Sequence, residues 1–278
     1  MGTVYAIANQ KGGVGKTTTA VNVAACIAEA GYATLLVDID PQANATVGLG
    51  LSKDREPSIY DVLAGEADAQ DAVVESGIPN LAVLPSHPDL AGAAVELPRI
   101  EGWERNLRGG LGPVRERFSL TLLDCPPSLG PVTLNTLVAA DRVVVPVQAE
   151  YLALEGLVQF LETLQLVGRE LNPSLVLTGV VITMHDDRTR LAHDVERELR
   201  EHFPELVFRT VIPRSIRVAE APSFGLPVVE HSPDSRGSVA YRELASELAE
   251  REGVSRVFVE RTRGRDGHQS NAQVEVET

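Results

Sequence analysis

Lysine is scarce in this chain. Lys11, Lys16 and Lys53 are its only lysines, and arginine supplies the remaining positive charge. Cysteine is scarcer still: Cys26 and Cys125 lie far apart, in no Cys-x-x-Cys pair and no Cys/His cluster, which argues against a zinc ribbon or a disulfide framework. No run of about 18 apolar residues occurs, so no membrane-spanning helix is expected. The first residues pass directly into the apolar run Val4–Ala8, without the basic n-region and cleavage site of a signal peptide. Met1-Gly2 opens like a myristoylation site, but Ala6 stands where that motif needs Ser or Thr. Positive charge is in deficit overall, with a formal net charge of -14. That excludes a broadly basic nucleic-acid binder, though not a focused basic patch.

What is present is concentrated. Two of the three lysines fall in one glycine-rich stretch, "NQKGGVGKTT", Asn9 to Thr18. It follows an apolar strand-like run and precedes helical spacing over Thr17–Ala30 that stops at Gly31. Strand, glycines, Lys-Thr pair and helix together describe a phosphate-binding loop. Gly12, Gly13, Val14 and Gly15 would turn their N–H groups inward as an anion nest. Lys16 would reach the β- and γ-phosphates, and Thr17 and Thr18 open the helix, with the Thr17 hydroxyl on Mg²⁺. One feature breaks the template: the first glycine of G-x-x-x-x-G-K-[ST] is replaced by Gln10, and Lys11 follows it.

Further apolar runs predict strands at 34–38, 81–84, 120–124, 142–147, 175–183 and 207–212, with helices near 151–171, 191–203 and 237–251. Near-continuous apolar strands alternating with helices predict a single α/β domain: a mostly parallel, twisted sheet with helices on both faces. The stretch 52–112 is less regular and reads as short helices. Residues 253–278, poor in apolar side chains, predict a disordered tail after a 1–252 domain. Asp38 and Asp40 in "DIDPQANAT" and Asp124 in "LLDCPPS" fall at strand ends, where ligands of such sheets bind. Asp124 suits a metal and Asp40 the orientation of an attacking water.

These motifs, with "VQAEYLALEG" and "VIPRSIRVAEAPSFGLPV", resemble the ParA/MinD group of phosphate-loop ATPases with a variant loop, and within it the ParA/Soj-type partition ATPases. The resemblance runs from about Thr3 to Glu250. It implies a cytoplasmic, nucleoid-associated ATPase that uses ATP and Mg²⁺ with slow intrinsic turnover. Lys16, Thr17, Asp40 and Asp124 carry phosphate, metal and hydrolysis. Pro213, Arg214 and Ser215 line the adenine pocket. Lys11 is the signature lysine that crosses an ATP-dependent homodimer to the partner's phosphates, and Glu150 matches a position that contacts the partner's nucleotide. Non-specific double-stranded DNA and a ParB-like centromere-binding protein are the implied partners. For DNA contact the resemblance offers Arg188 and Arg217; Arg190, Arg236 and Arg242 would extend the patch. With so little chain before the first strand, no operator-binding arm is expected.

Two alternatives remain open on the sequence. A MinD-like membrane ATPase would use a basic amphipathic segment, here the short, β-branched 254–265. An ATP-dependent small-molecule ligase shares the same loop but leaves "AEAPSFG" unexplained.

Overall fold

A computed structural model describes residues 2–251. The expected tail and the segment 254–265 lie outside the described residues.

Eight strands form one sheet: β1 (Thr3–Ile7), β2 (Thr34–Asp38), β3 (Val74–Glu75), β4 (Leu81–Leu84), β5 (Leu120–Asp124), β6 (Arg142–Gln148), β7 (Val176–His185) and β8 (Val207–Pro213). Their order is β3-β4-β2-β5-β1-β6-β7-β8. Every pairing is parallel except β3 against β4. The helices are α1 (Lys16–Glu29), α2 (Asn44–Gly48), α3 (Ile59–Ala64), α4 (Ala69–Ala72), α5 (Leu90–Glu96), α6 (Asn106–Arg115), α7 (Pro131–Ala139), α8 (Ala153–Glu170), α9 (Arg190–His202), α10 (Ile216–Glu220), α11 (Val228–His231) and α12 (Arg236–Arg251).

The strands are apolar along their length because both faces are covered. All five residues of β2 are buried, and each Leu or Val so placed contributes about 1.5–3 kcal/mol. Successive strand residues point to opposite faces. Tyr5, Ile7, Leu36, Leu122 and Val144 therefore pack with α1 and α12. Val4, Ala6, Leu35, Val37, Leu123 and Val143 pack with α7 and α8 on the other side.

The predicted strands are all present, and the long helices agree to within about two residues at their ends. Residues 52–112 hold short helices as expected, and also β3. That two-residue strand turns back onto β4 through Gly77 at φ 83 and Asn80 at φ 65. It is too short to leave a periodic signal.

The register positions the site. Ile7 pairs with Asp124, and Asp38 pairs with Asp124 from the other side. The ends of β1, β5 and β2 thus lie level, at the point where the chain order of the sheet reverses. Among the described residues, no helix is long and apolar enough to cross a membrane.

Candidate active site

The loop after β1 is shaped by its own backbone. Gly13 (φ 74) and Gly15 (φ 86) adopt left-handed conformations that cost a β-carbon-bearing residue about 1–2 kcal/mol. Gly15 caps α1, which begins at Lys16. Asn9 braces the loop from below: its Nδ2 donates to the Pro146 carbonyl (2.8 Å), and its Oδ1 accepts from Lys11 N–H (3.0 Å). On the far side the Thr183 hydroxyl donates to the Val14 carbonyl (2.8 Å). Thr18 lies in the first turn of α1, where its carbonyl accepts from Asn22 (2.8 Å).

Lys16 is buried, and its ammonium donates to the Lys11 carbonyl (2.8 Å). Burial lowers its pKa, opposed by its electrostatic interactions with Cys125, Asp124 and Asp40. The three carboxylates at the strand ends have different surroundings. Asp38 is fully buried but satisfied: Oδ2 accepts from the Thr46 N–H (2.8 Å) and hydroxyl (2.7 Å), and Oδ1 from Asp40 N–H (3.2 Å). Burial raises its pKa to about 6, against the Thr46 hydrogen bonds. It holds the 38–46 loop in shape. Asp40 is buried, its Oδ1 accepting from Gln42 N–H (3.0 Å) and its carbonyl accepting from the Ser86 hydroxyl (2.7 Å).

Asp124 is the exception. Both its oxygens are buried, and neither makes a hydrogen bond of normal geometry. Burial pushes its pKa well up, Asp38 reinforces this, and the Thr17 hydroxyl counteracts it. An ionisable group so placed is costly unless something pairs with it. A buried carboxylate whose one neighbouring donor is the Thr17 hydroxyl forms with it an all-oxygen set that suits Mg²⁺.

At Gln10, where the usual loop has glycine, Nε2 reaches α8. It donates to the Gly156 carbonyl (3.4 Å) and to Gln159 Oε1 (3.2 Å). Lys11 extends outward and pairs with Glu150 of its own chain; both are part-exposed. The structure therefore joins the two residues expected to act across a dimer.

Beyond β7 and β8 lies a cleft of about 580 Å³. Pro213 and Arg214 line it, and Arg214 N–H donates to the His185 carbonyl (2.9 Å). Ser215 follows as the cap of α10. Arg188, Arg217 and Arg236 line the same cleft, so the expected base pocket and the expected DNA patch adjoin. Each of these arginines already faces an acid. Arg188 grips Asp186 with two bonds of 2.8 Å, Arg217 pairs with Glu220, and Arg236 with Asp187 (2.7 Å). Arg190 is the loosest, 3.6 Å from Asp194 and 92% exposed.

Arg242 corrects an expectation. It is not a surface arginine: it is 9% exposed, its Nε donates to Glu29 (2.9 Å), and its Nη1 donates to the Pro233 carbonyl (2.8 Å). It fastens α12 to the end of α1 and is not available to DNA. Sequence reading also passed over Asn9, Thr46, Ser86 and Thr183, single polar residues whose positions show only once the strands are side by side.

Comparison with known proteins agrees with this geometry. A family model described as an AAA domain matches residues 2–177. The chromosome-partitioning ATPase Soj of Thermus thermophilus is 53% identical over 246 residues, 88% of this chain and 95% of that protein. The sporulation initiation inhibitor protein Soj of Bacillus subtilis is 49% identical over 250 residues, 90% of this chain and 99% of that protein. The chain belongs to the ParA/Soj family of chromosome-partitioning ATPases. Among solved structures, cobyrinic acid a,c-diamide synthase from Mycobacterium smegmatis, with bound ADP and magnesium, is 38% identical with a TM-score of 0.80, covering 92% of this chain and 97% of that one. The cell division ATPase MinD of Pyrococcus furiosus aligns with a TM-score of 0.74 at 26% identity, covering 90% and 99%. The α/β fold expected from the sequence is the fold of this ParA/Soj chain.

Proposed function

We propose that the loop and its carboxylates bind ATP with Mg²⁺, and that nucleotide assembles a homodimer which holds DNA until hydrolysis releases it. The observation that carries this reading is the buried, unpaired Asp124 carboxylate level with the loop. With the buried Lys16 amine, which rests on the Lys11 carbonyl, it makes a site ready to take a phosphate and a cation.

The chain's own residues divide the work. The turned N–H groups of Gly12–Lys16 and the positive end of α1 receive phosphate oxygens. The Lys16 amine leaves the Lys11 carbonyl for the phosphates. Thr17 and Asp124, with Asp40 nearby, would hold Mg²⁺, which when bound neutralises charge on the phosphate oxygens. Asp40 orients the attacking water, and with no arginine in the loop intrinsic turnover is slow. Pro213, Arg214 and Ser215 receive the adenine.

Lys11 rests on Glu150 in the single chain. In the dimer it exchanges that partner for the other subunit's phosphates, and Glu150 turns to the partner's nucleotide. DNA phosphates likewise compete with Asp186 and Glu220 for Arg188 and Arg217, with Arg190 the least restrained. Dimerisation doubles this patch, which makes DNA affinity depend on ATP despite the acidic chain. A ParB-like protein would accelerate release.

The test is light scattering and DNA binding with ATP, using ADP as control. Wild type should dimerise and bind DNA with ATP alone. Lys11→Ala should bind ATP yet stay monomeric and off DNA. A wild type that stays monomeric with ATP would remove the reading. A second reading, an amide-forming ligase, rests on the 38% identity to the diamide synthase; ATP turnover that requires a carboxylic acid substrate would favour it.

A further inference from the structure

The end of β7 carries a second cluster, on the α9 side of the cleft, that phosphate chemistry does not use. His185, the last residue of β7, is 4% exposed. Its Nε2 is buried without a hydrogen bond of normal geometry, although Glu196 Oε2 is only 3.1 Å away. His193 and Glu196 lie three apart on α9, on one helical face. The ligand atoms of His185, His193 and Glu196 all fall within 4.8 Å of one another.

We propose that His185, His193 and Glu196 form a binding site for a divalent transition-metal ion of the zinc type. Two ligand atoms each about 2.0–2.1 Å from a tetrahedral ion lie about 3.3 Å apart. The 3.1 Å separation of Nε2 and Oε2 fits that spacing while being poorly aligned for a hydrogen bond. The supporting shell is in place as well. His185 Nδ1 is 3.0 Å from Asp187 Oδ1, an arrangement that protonates Nδ1 and turns the Nε2 lone pair toward the cluster. His193 Nε2 is 2.9 Å from the Asp187 carbonyl, and its ring stands edge-on to His185 at 5.1 Å. Glu196 commits Oε1 to Arg200 (2.9 Å), which leaves Oε2 for the ion.

The donors also set the choice of ion. Two imidazoles and one carboxylate suit zinc, cobalt or nickel rather than magnesium, whereas the Thr17–Asp124 pair offers oxygen alone. A bound ion would pin the end of β7 to α9, and so hold the 186–189 turn between them.

The experiment is Co²⁺ titration of the metal-stripped full chain without nucleotide, which keeps it independent of the ATPase reading. Expected is one Co²⁺ per chain with the intense visible absorption of four-coordinate cobalt, displaced by Zn²⁺ and unaffected by excess Mg²⁺. His193→Ala and Glu196→Gln should each weaken binding by at least about tenfold, whereas His202→Ala, farther along α9, should not. No four-coordinate band, displacement by Mg²⁺, or binding by both variants equal to wild type would overturn the site.

Discussion

The carboxyl edge of the sheet has two halves that treat charge in opposite ways. Around β1, β2 and β5, charges are buried and incompletely paired: the Lys16 amine rests on a carbonyl, and Asp124 makes no hydrogen bond of normal geometry, with only the Thr17 hydroxyl beside it. Around the cleft beyond β7 and β8, the arginines are exposed and paired: Arg188, Arg217 and Arg236 each face a carboxylate. The first half is built at a cost in stability that a ligand relieves. The second is already neutral, so a ligand there must displace an internal partner. Substitutions should therefore trade stability against activity in the first half, and alter binding alone in the second.

The largest effect should come from Lys16→Ala. Loss of a buried donor aimed at the phosphates should lower ATP turnover by about 10²-fold or more, read as phosphate release, with the circular dichroism spectrum unchanged. Next is Arg242→Ala, the arginine that breaks the rule for its half of the chain. It should cost about 3 kcal/mol in urea unfolding by breaking the largely buried Arg242–Glu29 pair, with no direct effect on DNA binding; a variant of native stability would show that the α1–α12 tie is idle.

Asp124→Asn should invert the usual sign. Without nucleotide it should stabilise the protein by about 1–3 kcal/mol while abolishing turnover. Its pH dependence follows from the raised pKa. Unfolded aspartate loses its proton near about 3.9. Folded Asp38 holds its proton to about 6, and Asp124 is likewise raised by burial. Between those values the folded state binds more protons, so stability falls as pH rises. The advantage of Asp124→Asn should widen as pH rises above the unfolded aspartate value of about 3.9 in thermal melts; a constant gap would mean that Asp124 is ionised throughout. The smallest structural effect belongs to Arg188→Glu, which should leave the melting temperature unchanged. It should weaken DNA binding and make the log–log salt dependence shallower by about one for each DNA phosphate that Arg188 neutralises.

The same contrast marks what was legible in the sequence. The loop, Asp38, Asp40 and Asp124 were readable because each is a contiguous motif at a strand end, and a parallel sheet gathers strand ends. The exposed half was readable as arginines but not as arginine–acid pairs, since Arg188 and Asp186 meet through local side-chain geometry. Arg242 was misplaced because its partner, Glu29, is distant in the chain and meets it only when α1 packs on α12. His185 gave no signal for the same reason: Glu196 lies on the following helix, across a turn that the sequence leaves open.

The glycine missing at Gln10 has a mechanical consequence. A glycine would leave the loop free of α8, whereas Gln10 fastens it by two side-chain hydrogen bonds. Any displacement of the Asn9–Lys11 backbone must drag that helix or snap the tether. The first turns of the eighteen-residue α8, whose Leu157, Phe160 and Leu164 are fixed in the core, thus act as an anchor post for the phosphate loop.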